Sequence, residues 1–299
     1  MRIFVTGATG FIGSATVRDL LAAGHQVLGL VRGDANAAAL EALGATPVRG
    51  SLEDLDSLRR GAGAADGVIH TAFVHDVTKF AESCAIDQRA ISAIGEVLAG
   101  SNRPLAIASG TPSVPGRVAT EADTARTSPI AALRMPAEDL ALALAERGVR
   151  ASIVRLPRSV HGASDRGWRG GLMQRLVELA RDKRVAAYIG DGAQRWPAVH
   201  RLDAARLFRL AVERAPAGSR LHAVADEGIA LRDHAAAIGA KLGVPVEAKT
   251  PADAAAHFGF YAGIVATDQA ASSARTRELL GWQPTGAGLL ADFAASYTL

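Results

Sequence analysis

The chain has 299 residues, 49% of them hydrophobic and 21% charged, enough to bury a substantial core in one large or two intertwined domains. Its formal net charge is only +3 and its arginines are scattered, which argues against a nucleic-acid partner. It has no run of about eighteen apolar residues that would span a membrane, and its single cysteine, Cys84, cannot form an internal disulfide. We therefore expect a cytoplasmic protein.

Apolar segments of strand length alternate with helical patterns through the first half of the chain. The predicted strands are residues 2–6, 26–31, 46–49, 67–70, 104–109 and 151–156. The predicted helices between them cover about residues 11–23, 35–43, 52–60, 78–99 and 130–147. This alternation predicts a parallel sheet covered by helices on both faces, with right-handed crossovers.

After residue 157 the alternation is less regular. The patterns predict a helix at about 171–182, a strand at 185–189, a helix at about 202–214 and a strand at 220–224, followed by further helical segments. We predict an α/β protein with a Rossmann-type doubly wound parallel sheet. Residues 1–160 would form the dinucleotide-binding domain, with elements returning to it from about 199–226. Residues 161–299 would mainly form a smaller mixed α/β substrate-binding domain.

The sequence VTGATGFIG at residues 5–13 is the strongest motif. A predicted strand ends at Thr6, three glycines follow at a spacing of three, and an apolar-periodic helix begins at once. Gly7 permits a tight turn, Gly10 lets the backbone approach a pyrophosphate, and Gly13 lets the helix pack on the strand. The predicted phosphate-binding residues are Gly7, Thr9, Gly10, Phe11, Ile12 and Gly13, where the amides and dipole of the helix N-terminus favour an anion. The alternative is a purely structural glycine turn.

The residue after the second predicted strand bears on the choice of nicotinamide cofactor. A carboxylate at that position would bind the adenosine ribose of NAD, but Arg32 stands there. A planar guanidinium suits a 2′-phosphate, so the sequence favours NADP(H) over NAD(H). The alternative is that Arg32 is a solvated surface residue and that Asp34 binds the ribose instead.

Several further motifs together resemble the extended and atypical short-chain dehydrogenases/reductases, a group that includes the NAD-dependent epimerase/dehydratase-type proteins. Besides the glycine motif these are SLEDLDSL (51–58), GVIHTAF (67–73), ASG (108–110), VRLPRSVHG (154–162), IGDG (189–192), VHRLDAARL (199–207) and LGWQPT (280–285). The resemblance implies cofactor contacts from Ser51, Leu52, Ala72, Phe73, Pro157, Ser159 and Val160. The family often has Asp at the position of Ser51, which weakens an expected hydrogen bond to adenine.

The catalytic signature of that family, Tyr-x-x-x-Lys, is missing from this chain. Alignment on Glu138 places Ile130 at the position of the tyrosine and Arg134 at that of the lysine. The resemblance implies that Arg134 binds the nicotinamide ribose. Arg134 can also stabilise negative charge, but it cannot donate a proton at neutral pH. Positioned acid–base help is worth roughly 10²–10⁴ in rate, so another donor is needed for fast hydride transfer.

Four other side chains are candidates for that catalytic role. Ser109 and Thr111 stand at the end of the fifth predicted strand, where the family places a hydroxyl that polarises the substrate oxygen. His161 follows the sixth strand and His75 lies in the loop after the fourth, and histidine titrates near neutral pH. The alternatives are ordinary turn hydroxyls and surface or capping histidines.

Residues 195–203 raise two further expectations. Trp196 and His200 could line the substrate pocket, whereas Asp203 is expected to cap a helix.

The sequence thus predicts an NADP(H)-dependent oxidoreductase acting on a small carbonyl, alcohol or imine. An epimerase or dehydratase that retains its cofactor, or a non-catalytic NADP(H)-binding sensor, are the alternatives. The histidines, cysteine and acidic residues show no metal-binding spacing, and no G-x-S-x-G elbow of a serine hydrolase occurs. The family resemblance also raises the possibility of a homodimer.

Overall fold

The computed structural model of the protein describes residues 1–124, 132–164 and 167–298. Its strands, in chain order, are β1 Arg2–Thr6, β2 Gln26–Val31, β3 Thr46–Arg49, β4 Gly67–His70, β5 Pro104–Gly110, β6 Arg150–Leu156, β7 Ser159–Ser164, β8 Gly167–Arg169, β9 Ala186–Ile189, β10 Arg195–His200, β11 Ser219–His222, β12 Asp226–Ala230 and β13 Val246–Lys249.

The α-helices are α1 Phe11–Ala22, α2 Asp34–Glu41, α3 Leu55–Gly63, α4 Phe80–Leu98, α5 Met135–Glu146, α6 Leu172–Lys183, α7 Arg201–Arg214, α8 Leu231–Leu242, α9 Ala254–Phe258, α10 Ala262–Val265, α11 Ala274–Leu280 and α12 Leu289–Ser296. Two short 3₁₀ helices cover Val77–Lys79 and Gly259–Tyr261. In the part of the chain that the structure describes, no helix is both long enough and apolar enough to cross a membrane.

A seven-stranded sheet in the order β11-β6-β5-β4-β1-β2-β3 forms the centre of the molecule, and its strand pairs are parallel. Strand order reverses between β1 and β4, so the carboxyl ends of these two strands diverge into helices on opposite faces. Folds of this kind bind dinucleotides at that point. The predicted Rossmann-type α/β fold class is therefore confirmed, and the six strands predicted before residue 157 all lie in this sheet.

Two buried layers flank this sheet because successive strand side chains point to opposite faces. Ile3 and Val5 face a core that includes Val17 of α1 and Phe208 of α7. Phe4 faces the other core, which is formed with α3, α4 and α5. The first half of the chain thus places α1 beneath one face and the helix that carries Arg134 on the other.

A second sheet, in the order β12-β10-β7-β8, accounts for most of the strands that the sequence patterns do not reveal. β7 and β10 pair in parallel, whereas β8 and β12 are antiparallel to their neighbours. A two-stranded parallel sheet joins β9 to β13. β11 and α7 return to the large sheet, but the division into two domains at residue 160 stays a prediction.

Asp203 does not cap α7, so that prediction is wrong. The helix begins at Arg201, and the cap is His200, whose Nδ1 accepts a hydrogen bond from the N–H of Leu202 at 3.3 Å. The buried carboxylate of Asp203 instead accepts from the N–H groups of Thr285 and Gly286, at 3.0 and 2.8 Å. It therefore holds the C-terminal segment against α7.

Candidate functional site

The glycine turn after β1 is shaped by close backbone packing. Gly7 has φ +70°, and a Cβ there would lie 2.8 Å from the backbone nitrogen of Ala72. A Cβ on Gly13 would lie 2.0 Å from the carbonyl oxygen of Gly7, so α1 can approach the turn only with glycine at this position. These two glycines are required by the fold itself.

Gly10 leaves the start of α1 open toward an anion. It is exposed, occupies the N-cap position, and provides no side-chain cap for the amides of the first turn, which also contains no acidic residue. Thr9, Phe11 and Ile12 are half-buried around it. Because uncapped first-turn N–H groups and the helix dipole bind phosphate, this turn fits the pyrophosphate of a dinucleotide.

The next edge of the sheet carries two arginines. Arg32 follows β2, is exposed, and makes no hydrogen bond or ion pair to any described residue. Arg49, at the end of β3, is bound to Asp34 with Nη2 and Oδ1 2.5 Å apart. The carboxylate of Asp34 thus already has a cationic partner at the surface, and the guanidinium of Arg32 is available to an anionic ligand.

Ser51 and Leu52, the residues predicted to lie beside the adenine, follow β3. The hydroxyl oxygen of Ser51 accepts from the N–H groups of Glu53 and Asp54, both at 3.2 Å. Leu52 packs against the core on the α3–α5 face of the sheet. Their cofactor contacts stay predictions.

Arg134 lies at the N-cap of α5 and points to the carboxyl ends of β4 and β5. Its Nη1 donates to the carboxylate of Asp87 in α4 at 2.9 Å, and its Nη2 donates to the carbonyl of Ala108 at 3.0 Å. The guanidinium stacks on the ring of Phe73, 4.4 Å from its centroid. These contacts leave further N–H groups of Arg134 for a ligand. Ile130, expected to replace the catalytic tyrosine, lies outside the described residues.

Asp87 also joins Arg134 to the glycine turn through a buried histidine. Its second carboxylate oxygen lies 3.0 Å from Nε2 of His70, and Nδ1 of His70 lies 2.8 Å from the hydroxyl of Thr6. Because a carboxylate only accepts, His70 donates to it from Nε2, and in the neutral ring Nδ1 accepts from the hydroxyl of Thr6. Thr6 in turn accepts from the N–H of Ala72 at 3.3 Å. The network fixes the loop that bears Ala72 and Phe73.

The two hydroxyls at the end of β5, those of Ser109 and Thr111, differ in their hydrogen-bond partners. Ser109 donates to the buried carboxylate of Glu138 at 2.5 Å, and that carboxylate also binds Arg155. Thr111 instead accepts at its Oγ1 from the amide of Gln269 at 3.3 Å, so its own proton stays available. Of the two predicted hydroxyls, Thr111 therefore has the geometry of a donor to a ligand.

The two candidate histidines occupy unlike surroundings. His75 is exposed, but its ring packs edge-on against Phe73 with 5.2 Å between centroids. This desolvation, followed by the positive charge of Arg134, lowers the pKa of His75. His161 is fully buried in β7, where its Nδ1 lies 2.9 Å from Asp292 of α12 and its Nε2 has no partner among the described residues. His75 is thus close to Arg134, whereas His161 belongs to the core between β7 and α12.

The segment between β6 and β7 completes the same edge of the large sheet. Pro157, Ser159 and Val160 are buried, and Arg158 between them is half-buried. The hydroxyl of Ser159 has no partner in the described part of the chain. Trp196 is also buried, and its indole N–H donates to the carbonyl of Thr267.

Sequence reasoning missed three residues that organise the site. Asp87 holds Arg134, Glu138 holds Ser109, and Gln269 joins Thr111 to Arg158. Asp87 interrupts the buried face of α4, and Glu138 that of α5, which is a signal of a paired charge. Gln269 has no such signal. Nowhere in residues 1–124, 132–164 and 167–298 do three or more His, Cys, Asp or Glu side chains converge as metal ligands.

The sequence comparisons agree with this geometry. The family model described as "NAD dependent epimerase/dehydratase family" matches residues 3–224. An uncharacterized protein of Schizosaccharomyces pombe is 50% identical over 99% of both chains, and one of Saccharomyces cerevisiae is 44% identical over 100% of both. A 2-alkyl-3-oxoalkanoate reductase of Stenotrophomonas maltophilia is 28% identical, over 71% of this chain and 66% of its own.

Solved structures share the fold at low sequence identity. The dTDP-glucose 4,6-dehydratase DesIV of Streptomyces venezuelae, solved with NAD bound, superposes with a TM-score of 0.76 at 21% identity over 99% of this chain and 97% of that one. A nucleoside-diphosphate-sugar epimerase of Pseudomonas aeruginosa superposes with a TM-score of 0.77 at 20% identity, over 98% and 97%. With the family model covering most of the chain, this protein belongs to the NAD-dependent epimerase/dehydratase family.

Proposed function

We propose that the protein is an NADP(H)-dependent oxidoreductase of the atypical short-chain type, which transfers hydride to or from a small carbonyl or alcohol. The observation that carries this proposal is the glycine turn, where Gly10 leaves the amides of α1 uncapped at the carboxyl edge of the sheet. The names of two relatives support the reaction class. One is the 2-alkyl-3-oxoalkanoate reductase, and the other is a quinoline-oxide ketoreductase of Stigmatella aurantiaca, 28% identical over 73% of this chain and 66% of its own.

The preference for NADP(H) rests on charge at the adenosine end. Arg32 is exposed and has no partner among the described residues, so its guanidinium can bind a 2′-phosphate, while Arg49 pairs with Asp34, the carboxylate that would repel this phosphate. An uncharged 2′-hydroxyl would gain less than a phosphate from the guanidinium of Arg32. NADPH is therefore expected to bind more tightly than NADH.

Three residues would share the work of the missing tyrosine and lysine. The bound cofactor supplies the hydride. Arg134, held by Asp87 and Ala108, can donate N–H groups to a ribose hydroxyl or to a developing oxyanion. The hydroxyl of Thr111 can donate a hydrogen bond to the substrate oxygen, because Gln269 uses this hydroxyl only as an acceptor. His75, or a water molecule, would deliver the proton. Since its pKa is lowered, His75 is mostly neutral at pH 7, and ketone reduction should quicken as the pH falls.

The test compares cofactors in the native protein and in Arg32→Asp. Isothermal titration with NADPH and NADH should show tighter binding of NADPH. Arg32→Asp should weaken NADPH binding by about 1.5–3 kcal/mol, or roughly 10- to 150-fold, and affect NADH little. Arg147→Asp is the matched control, because Arg147 is also exposed but precedes β6 at the opposite edge of the sheet. Equal affinities for the two cofactors in the native protein would remove the NADP(H) assignment.

A non-catalytic dinucleotide-binding protein is the second candidate, and one observation favours it. All three tyrosines pack on the buried cluster that α6, β9, α8 and α12 form: Tyr188 in β9, Tyr261 in a 3₁₀ helix and Tyr297 after α12. The chain has no other tyrosine, so none lies beside Arg134. Tight NADPH binding without NADPH oxidation by any ketone or aldehyde of a broad panel would support this function over the first.

A further inference from the structure

Arg158 lies at the edge of the sheet where Thr111 lies, and none of the described carboxylates pairs with it. Its Nε donates to the side-chain oxygen of Gln269, and its Nη1 donates to the carbonyl of Ile264 at 2.6 Å. The guanidinium also stacks on Trp196, 5.0 Å from the ring centroid. All three partners are neutral, and no carboxylate of the described residues lies within ion-pair distance of it.

Asp268, whose charge acts on Arg158, does not compensate its charge. The carboxylate of Asp268 is bound by Arg195 through two side-chain contacts at 3.1 and 2.8 Å, and it also accepts the backbone N–H of Arg195. These two residues neutralise each other, so Arg158 leaves one positive charge in excess. Burial lowers the pKa of Arg158 to about 10, although the charge of Asp268 partly opposes the shift. A desolvated cation of this kind is costly unless an anion joins it.

One edge of the guanidinium remains open. Nη2 of Arg158 has no acceptor among the described residues, yet it is not among the polar atoms sealed from solvent. Gln269 connects this edge to Thr111, since its amide nitrogen donates to the carbonyl of Thr111 at 2.5 Å. The backbone N–H of Thr111 is bound to Leu156, two residues before Arg158. Arg158 and Thr111 therefore follow the carboxyl ends of the adjacent strands β6 and β5, at the edge of the sheet where the ligand is expected to bind.

We propose that Arg158 binds a carboxylate of the substrate, so that the substrate is an oxo acid or hydroxy acid rather than a neutral carbonyl compound. This inference rests on the proposed function and names its substrate class. Trp196, Gln269 and Ile264 hold the guanidinium in one orientation, which lowers the entropy lost on binding. The carboxylate would sit at Nη2, while the carbonyl oxygen of the same molecule accepts from the hydroxyl of Thr111.

The experiment uses 3-oxobutanoate and its neutral methyl ester as probes with NADPH. The native protein should reduce the acid with a kcat/KM roughly 10-fold or more above that of the ester, the worth of one charge-assisted hydrogen bond. Arg158→Gln should raise the KM for the acid by a similar factor and raise the KM for the ester much less. Arg158→Lys, which keeps the charge, should retain part of the preference. Arg175→Gln, which removes an exposed arginine from α6, is the control.

The outcomes separate this inference from the proposed function. No preference for the acid in the native protein, or equal losses for acid and ester in Arg158→Gln, would overturn the inference and leave the oxidoreductase standing. If neither probe is reduced, the proposed function loses its support, and binding of 3-oxobutanoate to the NADP⁺-loaded protein is measured by saturation-transfer NMR. Binding that depends on Arg158 would still support the carboxylate site, and its absence would overturn it. Inhibition by inorganic phosphate but not by acetate would replace the carboxylate with a phosphate.

Discussion

Replacing Glu138 with glutamine should strongly destabilise the protein, although the two side chains have nearly the same shape. The carboxylate of Glu138 binds Arg155 through Nη2 at 2.7 Å and through Nε at 3.2 Å, and it accepts the hydroxyl of Ser109 at 2.5 Å. The side chains of Glu138 and Arg155 are 2% and 0% exposed. Glu138 lies one turn after Arg134 in α5, so this pair also anchors the helix that carries the candidate ribose ligand.

The magnitude follows from what Glu138→Gln leaves behind. The guanidinium of Arg155 keeps its charge in the core, and the new amide N–H₂ faces one of its donors. Two backbone carbonyls, of Glu121 and Asp123, still accept from Arg155, but neither carries a charge. Breaking a buried ion pair by removing one charge costs about 3–5 kcal/mol. That is a large part of the total stability of a typical domain, about 5–15 kcal/mol.

Urea unfolding followed by far-UV circular dichroism measures the effect, with the m-value checked for each variant. Glu178→Gln is the matched control, because Glu178 binds Arg175 on the surface with side chains 44% and 55% exposed. It should cost no more than about 1 kcal/mol. Replacing both buried partners, Glu138→Leu with Arg155→Met, should cost less than Glu138→Gln alone. A loss below about 1 kcal/mol in Glu138→Gln, or one equal to that of the control, would refute the reasoning.

Two further predictions concern the glycine turn and acid stability. Gly10→Val should fold but lose NADPH binding in a titration, and unchanged NADPH affinity in the folded variant would contradict the phosphate site. Gly13→Ala should lower the free energy of unfolding, measured with urea, by about 1–3 kcal/mol or more, because its Cβ would meet the carbonyl of Gly7 at 2.0 Å. The pKa of Asp268 is lowered, chiefly by its hydrogen bonds with Arg195. The stabilisation is therefore present above the unfolded pKa of about 3.9 and is lost as the pH falls through the folded value. Asp268→Asn should be less stable than the native protein at pH 6, with a gap that narrows below about pH 4; a constant gap would exclude this linkage.

The fold class and the cofactor turn could be predicted from the sequence because both depend on local patterns. Apolar runs of strand length mark the six strands before residue 157, and the spacing of Gly7, Gly10 and Gly13 specifies a turn followed at once by a helix. Strands β7, β10 and β12 were missed, because they are short and mix apolar with polar residues. Their strand conformation is stabilised by neighbours distant in the chain.

By itself, the sequence determined which chemical groups are present: a glycine turn for phosphate, Arg32 in place of a carboxylate, and no tyrosine with a lysine four residues later. Only the tertiary structure decided which of these groups are free to act. Ser109 and Thr111 look alike in sequence, yet the hydroxyl of Ser109 donates to Glu138, whereas the hydroxyl of Thr111 accepts from Gln269, 158 residues away. Such pairings depend on where strands and loops distant in sequence are brought together and on the direction of each side chain, which no local periodicity encodes.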